Sequence, residues 1–256
     1  MQRFFRQIRQ RLLTDNPPDQ ASRAGKFSKY LLYAVGEILL VVIGILIAIQ
    51  VDNWNNEKQE HRELQGYLSN IAKNLTADLE QLNELRSYRS RSREGSKMYM
   101  ELIEKDPIPA NDILTYFKEY GEFLAIFEVY FLPDKSGFEA LKSSGYLGKL
   151  RGSEIESELY RYYGLTTLIM HEETSVNTFL EEMEVDLFRD NVIQRLFPLL
   201  EKNLSNPEDL SMVQGLLKHP SSIGANFRNS HLNTLFENYE KLDASGKHLL
   251  ELILKN

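Results

Sequence analysis

The chain of 256 residues contains no cysteine, which excludes disulfide frameworks, cysteine-ligated metal centres and thiol nucleophiles. Tryptophan occurs once, at Trp54. Phosphate-cradling glycine loops are also missing: there is no Walker A run, no G-x-G-x-x-G after an extended segment and no G-x-S-x-G elbow. The histidines at 61, 171, 219, 231 and 248 form no i, i+4 pair. His171-Glu172-Glu173 therefore begins like a zinc-protease helix but lacks the second ligand such a helix needs. Glu181, Glu182, Glu184 and Asp186 crowd one stretch and read as a solvated helix face. No catalytic residue, metal ligand set or cofactor is assigned, and the chain is expected not to be an enzyme.

Positive charge is scarce everywhere except at the start. The formal net charge is −7, yet residues 1–30 hold Arg3, Arg6, Arg9, Arg11, Arg23, Lys26 and Lys29 against Asp15 and Asp19. That opening is +5, leaving −12 on all that follows. A body this acidic repels phosphate, so no nucleic-acid partner is expected.

Long apolar runs are equally scarce, with one exception. Residues 31–51, LLYAVGEILLVVIGILIAIQV, carry one ionisable side chain, Glu37, and one amide, Gln50. As a helix the run covers about 31 Å, the thickness of a hydrocarbon core. Tyr30 and Tyr33 flank one end and Trp54 the other, where amphipathic rings prefer the interface. A core helix of a soluble protein rarely holds twelve residues such as 38–49 without a polar side chain. The basic residues precede the run, and Asp52, Glu57, Glu60 and Glu63 follow it, so the positive-inside rule places the N-terminus in the cytoplasm. No small-x-small site follows the run, so an uncleaved signal anchor is expected. In the tail, Phe4, Phe5, Ile8, Leu12 and Leu13 alternate with Arg3, Arg6, Arg9 and Arg11 at helical spacing. This fits an amphipathic helix in the inner headgroup layer, ended by Asn16-Pro17-Pro18-Asp19.

A carboxylate inside a membrane helix is costly and marks a functional position. At about 100° per residue, Glu37, Gly44 and Ala48 fall on one stripe. Gly44-x-x-x-Ala48 is a small-x-x-x-small pair that admits a second helix. Glu37 therefore reads as part of a helix interface, with a partner protein or a second copy. Snorkelling to the inner headgroups and ion coupling in an envelope complex are the other readings.

The rest is expected to be all-α: the membrane helix continues into a helical stalk and a multi-helix bundle. The organisation read from the sequence is a basic cytoplasmic tail (1–29), a transmembrane signal anchor (30–54), a helical stalk (55–105) and a bundle packing with it (106–256). Leu64, Leu68, Ile71 and Leu75 keep 4-3-4 spacing, as in a coiled-coil seam. Asp78 takes the next position, with Leu79, Leu82 and Leu85 carrying the stripe on. Packing within the chain's own bundle is favoured over a coiled-coil dimer. The arginines between 86 and 93 read as a solvated face. Asp106-Pro107-Ile108-Pro109 ends the helix, and Asn111 or Asp112 is positioned to cap the next. Residues 123–132, FLAIFEVYFL, are expected in the core. Further helices are expected near 136–143, from the Ser153/Glu156 capping box to about 188, after Asn206-Pro207, and from about 230 to 254.

The opening text resembles a family of bacterial proteins of unknown function. Its members start with a basic FFRxIRxxLL stretch, matched here by Phe4-Phe5-Arg6-Gln7-Ile8-Arg9 with Leu12-Leu13. An anchor follows, matched from Lys29-Tyr30 through Gly36-Glu37-Ile38 to Asn53-Trp54-Asn55. Gly137-Phe138-Glu139-Ala140-Leu141-Lys142-Ser143-Ser144-Gly145 resembles its middle region. The segment around residues 16–20 makes the linker longer than is usual for that family. The resemblance implies a single-pass protein of the bacterial inner membrane with a periplasmic C-terminal domain, and implies no activity. The functional expectation is a membrane-anchored interaction or scaffold protein, with the lipid bilayer and an envelope protein as partners. A ligand-sensing domain using Tyr160, Tyr162, Tyr163 and aromatics near Phe127 is the alternative, beside an accessory subunit of an ion-coupled complex.

Overall fold

In the computed structural model of the chain the described residues are 23–202 and 204–255, with side chains from residue 31 onward. The fold is all-α, and among the described residues there is no strand. The chain divides into two units, Met1–Arg62 and Glu63–Asn256.

Helix α1, Arg23–Ile103, is 81 residues long. No proline occurs between Pro18 and Pro107, so nothing in that interval removes a backbone donor. In the first unit its residues 31–51 are exposed throughout. This is one helix long and apolar enough to cross a membrane.

The second unit is organised on the later part of α1. Leu64, Leu68, Ile71, Leu75, Asp78, Leu82, Leu85, Arg89, Ser92, Ser96 and Tyr99 are all buried. These positions alternate by four and three without a slip, so one helix stripe faces the interior from end to end. The leucine seam is covered by the chain's own helices α3, Ser136–Ser143, α4, Glu154–Arg189, and α8, Asn233–Lys255. On α8 that core takes Leu235, Tyr239, Leu242, Leu249 and Ile253. A second core joins Tyr99 and Leu102 to three further helices: α2, Ala110–Tyr120, α5, Val192–Glu201, and α6, Pro207–Leu217. Helix α7, Pro220–Ser230, precedes α8.

Close helix approach has identifiable causes. A Cβ at Gly137 of α3 would lie 2.5 Å from the Asn74 side-chain oxygen and 3.1 Å from the Ile71 backbone nitrogen. A Cβ at Gly246 of α8 would sit 2.9 Å from Tyr162 and 3.0 Å from Leu79. The missing side chain lets α3 meet the α1 backbone at Gly137, and at Gly246 it makes room for the Tyr162 ring and the Leu79 side chain.

Helix ends follow local chemistry, with one correction. Ser153 caps α4 by accepting from the Glu156 amide at 3.2 Å, while the Glu156 carboxylate takes the Gly152 amide at 2.7 Å. Asn206 caps α6, accepting from Glu208 at 3.0 Å. Helix α2, by contrast, is not capped by Asn111 or Asp112. Its N-cap is Pro109, with no side-chain cap, because the helix starts one residue before Asn111. Asp112 falls in the first turn instead, where a carboxylate favours the helix dipole, and it receives Lys105 at 2.8 Å.

The apolar stretch 123–132 also departs from expectation. Residues 124–135 form neither helix nor strand. Only part of the stretch is core: Ala125 and Phe131 are buried, whereas Phe127, Tyr130 and Leu132 are exposed. An irregular segment cannot satisfy its own backbone, so other groups must do so.

Candidate functional site

Two regions of the fold carry side chains whose placement needs a reason beyond packing. The first is the apolar part of α1. Glu37, Gly44 and Ala48 are all exposed on it, and a Cβ at Gly36 or Gly44 would meet nothing within 4 Å. Tyr33 is exposed near its start. Trp54 is exposed beyond its end, with the Lys58 ammonium 5.3 Å from its ring centroid. Tyr30 lies in the helix, and its side chain is outside the described residues, as are Arg3, Phe4, Phe5, Arg6, Arg9 and Arg11.

The second region is the irregular segment 124–135 and the buried polar groups that hold it. Segment and α4 run antiparallel. Near one end, Leu124, Ala125 and Ile126 share a small cavity wall with Leu187. Further on, the Val129 carbonyl accepts from the Asn177 amide at 2.7 Å, and the Phe131 amide donates to Glu173 at 2.6 Å. At the far end the Lys135 ammonium reaches Thr167 at 3.5 Å.

Besides Asn177, three further buried side chains do the holding. The Arg89 guanidinium, 1% exposed, donates to the Val129 carbonyl at 3.0 Å and to the Asn177 side-chain oxygen at 2.8 Å. Glu173 accepts the Phe131 amide and the Tyr239 hydroxyl. Asp78 accepts the Asp134 amide at 2.8 Å and the Tyr162 hydroxyl at 3.0 Å. The last two sites are built alike: a buried carboxylate takes one backbone amide of the segment and one tyrosine hydroxyl. Burial raises both carboxyls above their ordinary values, against the lowering effect of those hydrogen bonds. Burial likewise raises the Tyr162 and Tyr239 hydroxyls, and the adjacent carboxylate adds to it.

This corrects the reading of the arginine run as a solvated face. Besides Arg89, the Arg93 guanidinium donates to the Ser230 carbonyl and to Asn233, and lies 5.0 Å from the Phe236 ring centroid. Arg91 lies over the rings of Tyr120 and Phe123 at 5.2 and 5.6 Å. Arg89 turns inward because the irregular backbone there offers an acceptor that water would otherwise supply, while Arg91 and Arg93 stay half-buried over aromatic faces and a helix end.

Of the aromatics considered for ligand sensing, Tyr160 and Tyr163 both pack on Phe138 and Tyr162 meets Tyr163 edge-on at 5.1 Å between centroids, but they line no cavity together. Tyr162 and Tyr163 are buried, and Tyr163 stacks on Phe138 at 4.3 Å between centroids. Tyr160 and Phe127 are exposed. The cavity beside Leu187 is about 50 Å³ and is lined by none of these four. Its walls include Phe117, Leu124, Ile126, Leu187 and Phe197. Among the described residues no three histidine, aspartate or glutamate side chains are grouped as metal ligands.

Sequence reasoning reached Asp78 only as an interruption of a leucine seam, Arg89 as part of a solvated face and Glu173 as part of an incomplete zinc-protease pattern, and it gave Asn177 no role. The missed signal was register: Arg89, Ser92 and Ser96 continue the same four-three spacing.

Comparison with known proteins gives a family match. The model of a family described as a family of unknown function (DUF6090) matches residues 37–164. No curated protein and no solved structure matches the chain.

Proposed function

Because the chain belongs to this family of unknown function, DUF6090, we propose from its own residues that it is a membrane-anchored interaction protein. The apolar part of α1 spans the bacterial inner membrane with the N-terminus in the cytoplasm. The helical unit docks an envelope partner from the periplasmic side. The observation that carries the anchor is the uniform exposure of residues 31–51 on one helix. About twenty apolar residues of helix left uncovered by protein are matched by a hydrocarbon core and by little else. The exposed stripe of Glu37, Gly44 and Ala48 supports assembly through this helix, since a glutamate in hydrocarbon finds its hydrogen bond on a neighbouring helix. The lipid bilayer is thus one partner, and a protein or second copy the other. The reading gives the chain no chemistry of its own.

The absence of cysteine makes the test clean. Single-cysteine chains, Gln7→Cys and Lys247→Cys, are treated with a membrane-impermeant maleimide in intact spheroplasts. Labelling of Lys247→Cys alone is expected; labelling of Gln7→Cys alone reverses the topology, and labelling of both denies the span. Full-length protein purified from its native membrane is then weighed for a stoichiometric companion. Recovery as a lone monomer would overturn the docking role.

A further inference from the structure

Large apolar side chains left in water are unevenly spread over the second unit. Of twelve that are exposed among the described residues beyond 62, seven lie on α4 or on segment 124–135 beside it. These two stretches make up about a quarter of that unit, so the enrichment is more than twofold. Tyr160 and Leu168 stand about 25 Å or more along α4 from Val185 and Phe188 and are scattered surface residues; the concentration on one ridge at the other end marks an interaction surface.

The ridge has a focus. Phe127 and Tyr130 on the segment are 40% and 45% exposed, and Val185 and Phe188 on α4 are 50% and 47% exposed. Glu128, Glu181 and Glu184 are set among them. The Tyr130 hydroxyl donates to Glu128 at 3.0 Å, and the three carboxylates are close enough to act on one another, holding the Glu184 carboxyl above its ordinary value after burial has raised it. Among the described residues no lysine, arginine or histidine pairs with any of the three. At one end lies the cavity of about 50 Å³, walled by Phe117, Leu124, Leu187 and Phe197.

Resting on the docking reading above, we propose that this surface is where the partner binds, and that the partner presents a cationic amphipathic segment. Its lysines or arginines meet Glu128, Glu181 and Glu184. Its apolar face covers Phe127, Tyr130, Val185 and Phe188 and sets one side chain against the notch. Charge complementarity decides the partner's sign: like charges unrelieved on the free surface are relieved by an incoming cation, and an acidic partner would add to the repulsion. Aromatic side chains with a polar rim are the composition expected at an interface core. The segment bearing Phe127 and Tyr130 is held by Arg89, Asn177 and Glu173 through its backbone, so its side chains are free to face outward in fixed positions.

The test uses the full chain in phosphatidylcholine nanodiscs, with empty discs as the blank. The probe is a dye-labelled helical peptide of leucine, alanine and lysine, compared with versions carrying glutamate for lysine or serine for leucine. The leucine-lysine peptide is expected to bind in fluorescence anisotropy and to weaken as salt is raised. The glutamate version is expected not to bind. Glu128→Lys/Glu181→Lys/Glu184→Lys is expected to weaken binding at least tenfold, and Phe127→Ser/Phe188→Ser at least fivefold, with unchanged thermal unfolding. Equal binding by the charge-reversed chain, or by the glutamate peptide, would overturn the proposal. So would no binding at all in a chain that still co-purifies with a stoichiometric companion, which would leave the docking role intact and place it elsewhere. Loss of both would sink the docking role as well.

Discussion

Replacing Glu173 with leucine tests whether a buried carboxylate organises the irregular segment. Glu173 is fully buried and accepts from the Phe131 amide at 2.6 Å and from the Tyr239 hydroxyl. Leucine is of similar size, so packing loss is small, but both donors lose their acceptor. Each stranded buried donor costs about 1–3 kcal/mol. The Arg89 cation, close enough to act on the Glu173 carboxyl, also loses its opposing charge. Together the expected loss is about 3–5 kcal/mol, the range seen when one partner of a buried charge pair is removed. Glu173→Gln keeps a carbonyl for the Phe131 amide but removes the second acceptor and the charge facing Arg89, so its cost is expected at about 1–3 kcal/mol, that of one unmet buried donor. Urea unfolding of the full chain in uncharged maltoside micelles, followed by circular dichroism, reads the difference. A leucine variant within about 1 kcal/mol of the glutamine variant would refute the account, since leucine strands one more donor than glutamine does. The pH dependence supplies a second check. The folded carboxyl lies above its ordinary value of 4.5, so the folded state holds its proton more tightly than the unfolded chain. The contribution of this group therefore falls as pH rises from the ordinary value to the raised one, and returns on acidification. Wild type should gain stability relative to Glu173→Gln as the buffer is taken from neutral toward that value.

Other perturbations follow from single contacts. Gly137→Ala places a Cβ 2.5 Å from the Asn74 oxygen and 3.1 Å from the Ile71 backbone nitrogen; a loss of about 1–3 kcal/mol from overpacking is expected in the same urea assay. Ser153→Ala removes the acceptor of the Glu156 amide at the start of α4, and about 1 kcal/mol is expected. Asn191 begins α5 at φ 57°, so Asn191→Gly should match or slightly exceed wild type in thermal unfolding while Asn191→Ala falls below it by about 1 kcal/mol. Glu37→Gln, retaining a hydrogen-bonding side chain without the charge, should leave a helix–helix assembly intact in crosslinking, whereas Glu37→Leu should weaken it.

Element boundaries were legible wherever a backbone-binding side chain announces them. The Ser153 and Asn206 caps and the helix at 136–143 stand where the sequence puts them. The apolar length of residues 31–51 is likewise visible without a structure, because it depends on composition alone. What sequence reasoning lost was everything that depends on a polar residue being inside. Asp78 was taken to interrupt the stripe of α1 and the arginines beyond it to face water, since hydrophobicity was used to decide which positions are buried. Position is the better guide: 75, 78, 82, 85, 89, 92, 96 and 99 hold the spacing, whatever occupies them.

The polar residues on that stripe are there because of the segment they face. Residues 124–135 are apolar enough to be drawn inward, yet they form no regular hydrogen-bond ladder. Their amides and carbonyls would be stranded against an all-leucine stripe, at about 1–3 kcal/mol for each unmet group. Asp78 and Arg89 on α1, with Glu173 and Asn177 on α4, supply the missing acceptors and donors from two sides. The consequence reaches the surface. With its backbone fixed by buried charges, the segment can leave Phe127 and Tyr130 in water, where apolar packing alone would have turned them in. A chain with Arg89→Met should therefore lose peptide binding at the ridge along with stability, although Arg89 is itself buried. Retention of full binding by that variant would mean that the segment holds its outward aromatics without the buried network.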